Sequence, residues 1–187
     1  EFFLTSAALQ DILRRFLDTH KDLTKLPEKV AIQMNDTHPA IAGPELIRLL
    51  VDGHGMAFDP AREIAQKVLG YTNHTLLPEA LERWSTYLVG TVLPRHMQII
   101  EQIDHWHLDE HHSRPHWVGI VKNHEVRMGE LAFIMSHKVN GVSALHTELV
   151  KKTLFPELDA LHPGRIVNQT NGVTPRRWLR MANPALS

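Results

Sequence analysis

Residues 29–51 constrain the fold more than any other stretch of the chain. There an apolar run passes into a polar knot and then into apolar residues at helical spacing. KVAIQM (29–34) reads as a short buried strand. NDTHP (35–39) breaks it, and Pro44 opens a helix with Leu46, Ile47, Leu49 and Leu50 on its buried side. Strand, polar loop and helix in succession form the repeating unit of α/β folds. In an open parallel sheet such a loop emerges at the carboxyl edge, where ligands bind. The expected fold class is therefore α/β and helix-rich.

Other segments fit this frame. Thr5 or Ser6 is expected to cap a helix carrying Leu9, Ile12, Leu13, Phe16 and Leu17. Asp59-Pro60 begins a helix running through Leu69, by the cap-then-proline rule. Residues 71–75 are short and polar, and a helix started by Pro78 should reach about Leu88. Pro94 starts another, with Met97, Ile100 and Ile103 inward. Residues 109–125 are expected to form a loop. Periodicity leaves 128–135 open between strand and helix. Residues 142–152 read as a helix, 165–169 as a strand and 175–181 as a closing helix.

Charge and composition exclude several roles. Lys plus Arg number 20 against 21 Asp plus Glu, so no general electrostatic attraction to nucleic acid or anionic membrane is expected. The chain has no cysteine, which excludes disulfides and Cys-based zinc sites and fits a reducing cytoplasm. Apolar runs such as LAFIM are too short to span a bilayer. The first residues lack a basic leader and meet Asp11 early, so they read as helix, and the abrupt start suggests an internal piece of a longer chain.

Four polar knots recur beside apolar segments: NDTHP, YTNHT (71–75), VNGVSALH (139–146) and TNGVTPRRW (170–178). Asn, Thr and His supply the neutral donors and acceptors that a sugar requires. Each knot also has a bland reading. Asn35 and Asp36 can form an Asx turn, Asn171-Gly172 a turn with Gly172 at positive φ, and Thr174-Pro175 a helix start. HWHLDEHHSRPHW (105–117) holds five histidines, and His107 with His111 has the i, i+4 spacing of metal ligands. A zinc or nickel site and a solvated loop both remain open there.

Together, in this order, the motifs resemble the α-glucan phosphorylases: glycogen, starch and maltodextrin phosphorylases. The resemblance runs from EFFLTSAALQDILRRF to RRWLRMANPALS. It implies a two-domain, Rossmann-like glycosyltransferase architecture of the GT-B type. Residues 1–164 would end the first domain, and 165–187 would cross into the second. It implies phosphorolysis of terminal α-1,4-linked glucose to glucose 1-phosphate, with α-1,4-glucan and inorganic phosphate as substrates. A cytoplasmic homodimer is the implied form.

By the same resemblance, NDTHP lies beside the catalytic cleft, so Asp36 and His38 are substrate-binding candidates. His74 and Asn171 bind the glucose 6-hydroxyl and are the catalytic candidates, the His74 carbonyl facing the anomeric centre. Trp178 packs near the cofactor, pyridoxal phosphate, whose Schiff-base lysine has no counterpart in this chain. Arg14 and Arg15 match an effector-binding pair, but regulation does not transfer. Glucan-storage contacts around 105–117 are not recognisable. No metal ligand is assigned. The isolated chain is expected to be inactive. Two alternatives stand beside this reading. One is a His-rich metal-binding module, and the other a glycoside hydrolase using carboxylates such as Asp36, Glu79 and Glu82.

Overall fold

The structure is a computed structural model, and it describes residues 1–110 and 118–187. Among these the chain forms seven strands and ten α-helices. Four strands make a sheet in the order β1 (Ile32–Asn35), β2 (Leu69–Thr72), β6 (Lys138–Gly141) and β7 (Ile166–Asn168), and every neighbouring pair is parallel. The register sets Met34, Tyr71, Val139 and Ile166 in one row across it. None of the four is more than 3% exposed. The next row, Asn35, Thr72, Asn140 and Val167, points to the other face because strand side chains alternate. That face is polar: Gln33 donates to Thr72 at 2.9 Å, and Thr72 donates to Asn140 at 2.8 Å. Parallel sheets are ordinarily covered on both faces. Among the described residues this one is covered on one.

Helices fill the covered side. In α1 (Phe2–Thr19) the buried residues Ser6, Leu9, Leu13 and Phe16 follow one stripe. The helix starts earlier than the sequence suggests, with Glu1 as its N-cap and no side-chain cap bond. Ser6, expected as a cap, sits inside the helix, and its hydroxyl is used elsewhere. It donates at 2.6 Å to Glu45 of α3 (Ala42–Arg48). Glu45 is fully buried, and it also takes hydrogen bonds from Arg48 at 2.7 Å and His96 at 2.6 Å. His96 belongs to α6 (Pro94–Glu110), so one carboxylate joins α1, α3 and α6. α4 (Phe58–Val68) packs beside α3 and leads directly into β2. Its N-cap is Ala57, not Asp59, and its end is set by Leu69 entering the sheet.

A second sheet, antiparallel, orders β3 (Arg83–Ser85), β5 (Glu125–Arg127) and β4 (Val121–Lys122). The helix expected from Pro78 to Leu88 is therefore absent. Pro78–Ala80 makes one tight turn, Arg83–Ser85 pairs with β5, and α5 (Thr86–Val92) follows. Pairing with residues some forty positions away overrides the local proline signal. The loop expected over 109–125 is only partly so. Asp109 and Glu110 end α6, and β4 and β5 form a hairpin. Its two turn residues, Asn123 and His124, have φ of 52° and 61°, as a type I′ hairpin requires. Residues 111–117 lie outside the described residues. The undecided segment 128–135 is helical: α7 (Met128–Ile134), buried at all positions but Glu130. The helix expected over 142–152 is α8 (Ala144–Leu149), prolonged by a wider turn, Val150–Leu154.

Candidate active site

The four polar knots follow the four parallel strands, so all emerge at one edge of the sheet. Loops 35–39 and 71–75 therefore lie side by side at that edge. Backbone hydrogen bonds tie each loop to the next. Asp36 N–H donates to Thr72 at 2.9 Å, Asn73 N–H to Asn140 at 2.9 Å, and Asn171 N–H to the Val142 carbonyl at 3.0 Å. Asp36 sits at φ 62°, and its carboxylate accepts the Thr37 N–H at 2.7 Å. Asp tolerates this left-handed conformation better than most residues because its short side chain bonds locally.

His74 is exposed, and its Nε2 lies 2.6 Å from Asn35 Oδ1. An amide oxygen only accepts, so Nε2 carries the proton in this contact. Asn35 thus orients His74 across two strands, a role invisible in the sequence except as the first letter of NDTHP. The residue between β2 and His74 is Asn73, fully buried and donating at 2.9 Å to the Tyr71 hydroxyl. A buried, bonded neighbour holds the backbone from which His74 projects.

His38 takes another direction. Its Nδ1 is 2.9 Å from a Glu82 oxygen and 3.2 Å from a Glu1 oxygen. The Glu82 hydrogen bond is the chief cause that raises the His38 pKa above its ordinary value, against a smaller opposing effect of burial. These three side chains offer metal-ligating atoms within 4.8 Å of one another, the one such grouping among the described residues. Its carboxylates hold the histidine proton, and Glu82, a hydrolase candidate by sequence, is engaged there.

Asn171 is exposed and held by its backbone, while Trp178 stands apart. Trp178 lies on α10 (Pro175–Ala182), which buries none of its residues, and is itself 56% exposed. The structure therefore brings Asp36, His74 and the Asn171 backbone to one edge and leaves Trp178 outside it. Gly172 does not adopt the positive φ expected of an Asn-Gly turn, because 170–174 runs on without one. Thr174 does precede α10, with Pro175 in its first turn. The arginine pair Arg14–Arg15 lies against Asp11, which Arg14 contacts at 2.7 Å. Of the proposed metal pair, His107 is 1% exposed within a cluster of rings, and His111 lies outside the described residues.

Comparison with known proteins locates this arrangement in a family. The sequence model of the carbohydrate phosphorylases matches residues 1–187. The chain is 44% identical to alpha-glucan phosphorylase 2, cytosolic, of Arabidopsis thaliana, with 100% of this chain and 24% of that protein covered. It is 46% identical to the glycogen phosphorylase of Chlamydia trachomatis and 43% identical to the muscle form of glycogen phosphorylase from Ovis aries, at the same 100% and 24% coverage. The chain thus spans about a quarter of the length of these relatives. The similarities lend no support to the hydrolase or metal-module alternatives.

Proposed function

Because the chain belongs to the carbohydrate phosphorylase family, we propose that the complete protein phosphorolyses the terminal α-1,4-linked glucose of a glucan, releasing glucose 1-phosphate. Its substrates are the glucan and inorganic phosphate. The carrying observation is the hydrogen-bonded convergence of the His74 and Asn171 loops at the carboxyl edge of one parallel sheet. His74 and Asn171 bind the glucose 6-hydroxyl, and the His74 carbonyl faces the anomeric centre, where positive charge develops. Asp36 and His38 lie in the loop beside them, His38 engaged by Glu82 and Glu1.

Pyridoxal phosphate is the cofactor that the family resemblance implies, and in the complete protein it would supply proton exchange with inorganic phosphate. This chain's residues do not fit it by themselves. No lysine lies in 36–39, 73–75, 142–143 or 169–171. Lys138, on β6, donates at 2.7 Å to Gly164 at the opposite edge. The chain's contribution is the sugar's side of the site. Trp178, exposed on α10, is read as a cofactor neighbour in the complete enzyme.

Residues 1–164 are read as the end of a first domain of a GT-B pair, and 165–187 as the crossing to the second. In support, every residue from 168 onward is exposed, while β7 at the start of that segment still pairs within the first sheet. The complete protein is read as a cytoplasmic homodimer. No described helix is long and apolar enough to cross a membrane, and one relative is named as cytosolic.

The test is phosphorolysis by the complete protein with His74→Ala or Asn171→Ala. Each change removes a hydrogen bond worth ~0.5–1.5 kcal/mol, more if a buried partner is stranded, and should lower kcat/KM accordingly. Wild-type phosphorolysis in either variant would remove that residue from the site.

A further inference from the structure

We propose that His146 is a positioning residue for Asn171, acting through the backbone of Val142. The proposal rests on the phosphorylase reading and adds a residue to it. His146 stands in the first turn of α8, where Ser143 Oγ accepts its N–H at 3.1 Å. The His146 ring bends back, and Nδ1 accepts the Val142 N–H at 3.3 Å. Val142's carbonyl then accepts the Asn171 N–H at 3.0 Å. One residue, Val142, is thereby held from the helix on its amide side and holds Asn171 on its carbonyl side.

Two features tie the ring to this task. Its Nδ1 accepts only when the ring is neutral, and burial lowers the His146 pKa, with His74 adding to the effect. Its Nε2 is buried with no hydrogen-bond partner. An unsatisfied buried donor is unfavourable, and an apolar residue of like size would avoid it. The Nδ1 contact is the interaction that such a residue would lose.

A second route reaches the same place. Thr147 Oγ1 shares its one proton between the Ser143 carbonyl at 2.8 Å and Asn168 Oδ1 at 3.2 Å, and Asn168 Nδ2 donates to Thr170 Oγ1 at 3.1 Å. The join has little slack. A Cβ on Gly141 would come within 2.8 Å of the Thr147 Cα and 2.9 Å of His146 Nδ1. The first turn of α8 thus clamps both the segment leaving β6 and the segment leaving β7.

The test is a double-mutant cycle in the complete protein, read as kcat/KM for phosphorolysis of maltodextrin. His146→Leu removes the acceptor, and His146→Asn returns an amide oxygen close to where Nδ1 stood. If His146 acts through Asn171, His146→Leu lowers kcat/KM by about three- to tenfold. His146→Asn recovers most of that loss. The pair His146→Leu with Asn171→Ala is then no worse than Asn171→Ala within about twofold, because coupled sites are non-additive. Multiplying losses, or a His146→Asn variant as impaired as His146→Leu, would overturn the proposal. Melting curves establish that each variant is folded. Should His146→Leu fail to fold, His146→Phe, which also lacks the acceptor but keeps a ring, enters the same cycle with the same two outcomes. A wild-type protein without phosphorolysis would instead sink the functional reading itself.

Discussion

At the scale of single residues, Glu45 carries the largest electrostatic commitment. Burial by itself raises its pKa, but hydrogen bonds from Arg48, His96 and Ser6 outweigh that and lower it from 4.5 to about 2. A carboxylate with a depressed folded pKa contributes stability above its unfolded value. That contribution is lost as pH falls from about 4.5 toward about 2, and amounts to roughly 3 kcal/mol. Glu45→Gln keeps the shape and removes the charge, leaving Arg48 without its buried partner. Urea melts at pH 7 should show a loss of ~3–5 kcal/mol, as for other broken buried pairs. The same variant should lose less stability than wild type between pH 4.5 and pH 2. An unchanged acid limb would show that Glu45 is not the group that titrates. His38 has the opposite sign. Its raised pKa gives a contribution present below the ordinary histidine value and lost as pH rises through the folded one.

At the scale of elements, the joint between β6 and α8 decides the geometry of the site. Gly141 ends the strand, and two residues later Ser143 caps the helix with a bond to the His146 N–H. The helix backbone passes so close that Gly141→Ala places a methyl group 2.8 Å from the Thr147 Cα. Backbone cannot swing aside as a side-chain end can, so the strand end or the helix must shift. Such overpacking costs about 1–3 kcal/mol. Gly53→Ala is the control, since a Cβ there meets nothing within 4 Å and should change stability by no more than about 0.5 kcal/mol. Equal melting of the two variants in urea would mean that β6 and α8 are not held as tightly as described. The position of Asn171 belongs to this scale too, because its N–H hangs from the carbonyl of the residue just past Gly141.

At the scale of the whole molecule, the chain presents half of an environment. One face of the parallel sheet is bare and polar, and α10 exposes Trp178 at 56%, Leu179 at 44% and Met181 at 68%. The carboxyl-edge loops, proposed above to face a sugar, contain no lysine in 36–39, 73–75, 142–143 or 169–171. Positioning and electrostatics are most of what such a site contributes, and one wall of a cleft positions nothing. Residues 1–187 alone should show no cofactor absorbance after incubation with pyridoxal phosphate. They should also release no glucose 1-phosphate from maltodextrin and phosphate. Release by the purified polypeptide, free of any other phosphorylase, would sink this expectation.

What the sequence determined by itself is what depends on near neighbours. The stripe of Leu9, Leu13 and Phe16 specifies α1 because residues three and four apart share a helix face. Pro94 opens α6, and Met97, Ile100 and Ile103 are buried as their spacing requires. NDTHP marks a strand's carboxyl end, and the motifs in their order place the chain in its family. The tertiary structure decided what depends on distant partners. LGYT and KVNG are too short and too polar to announce strands, yet Gly70 pairs with Lys138 and Val139 with Ile166. Their ladders are stabilised only once residues far apart in the chain have met. For the same reason Arg83–Ser85 became a strand although Pro78 signals a helix. His74 leaning on Asn35, and Asn171 hanging from Val142, likewise arise only when four loops share one sheet edge. No local pattern encodes a hydrogen bond between residues 39 positions apart.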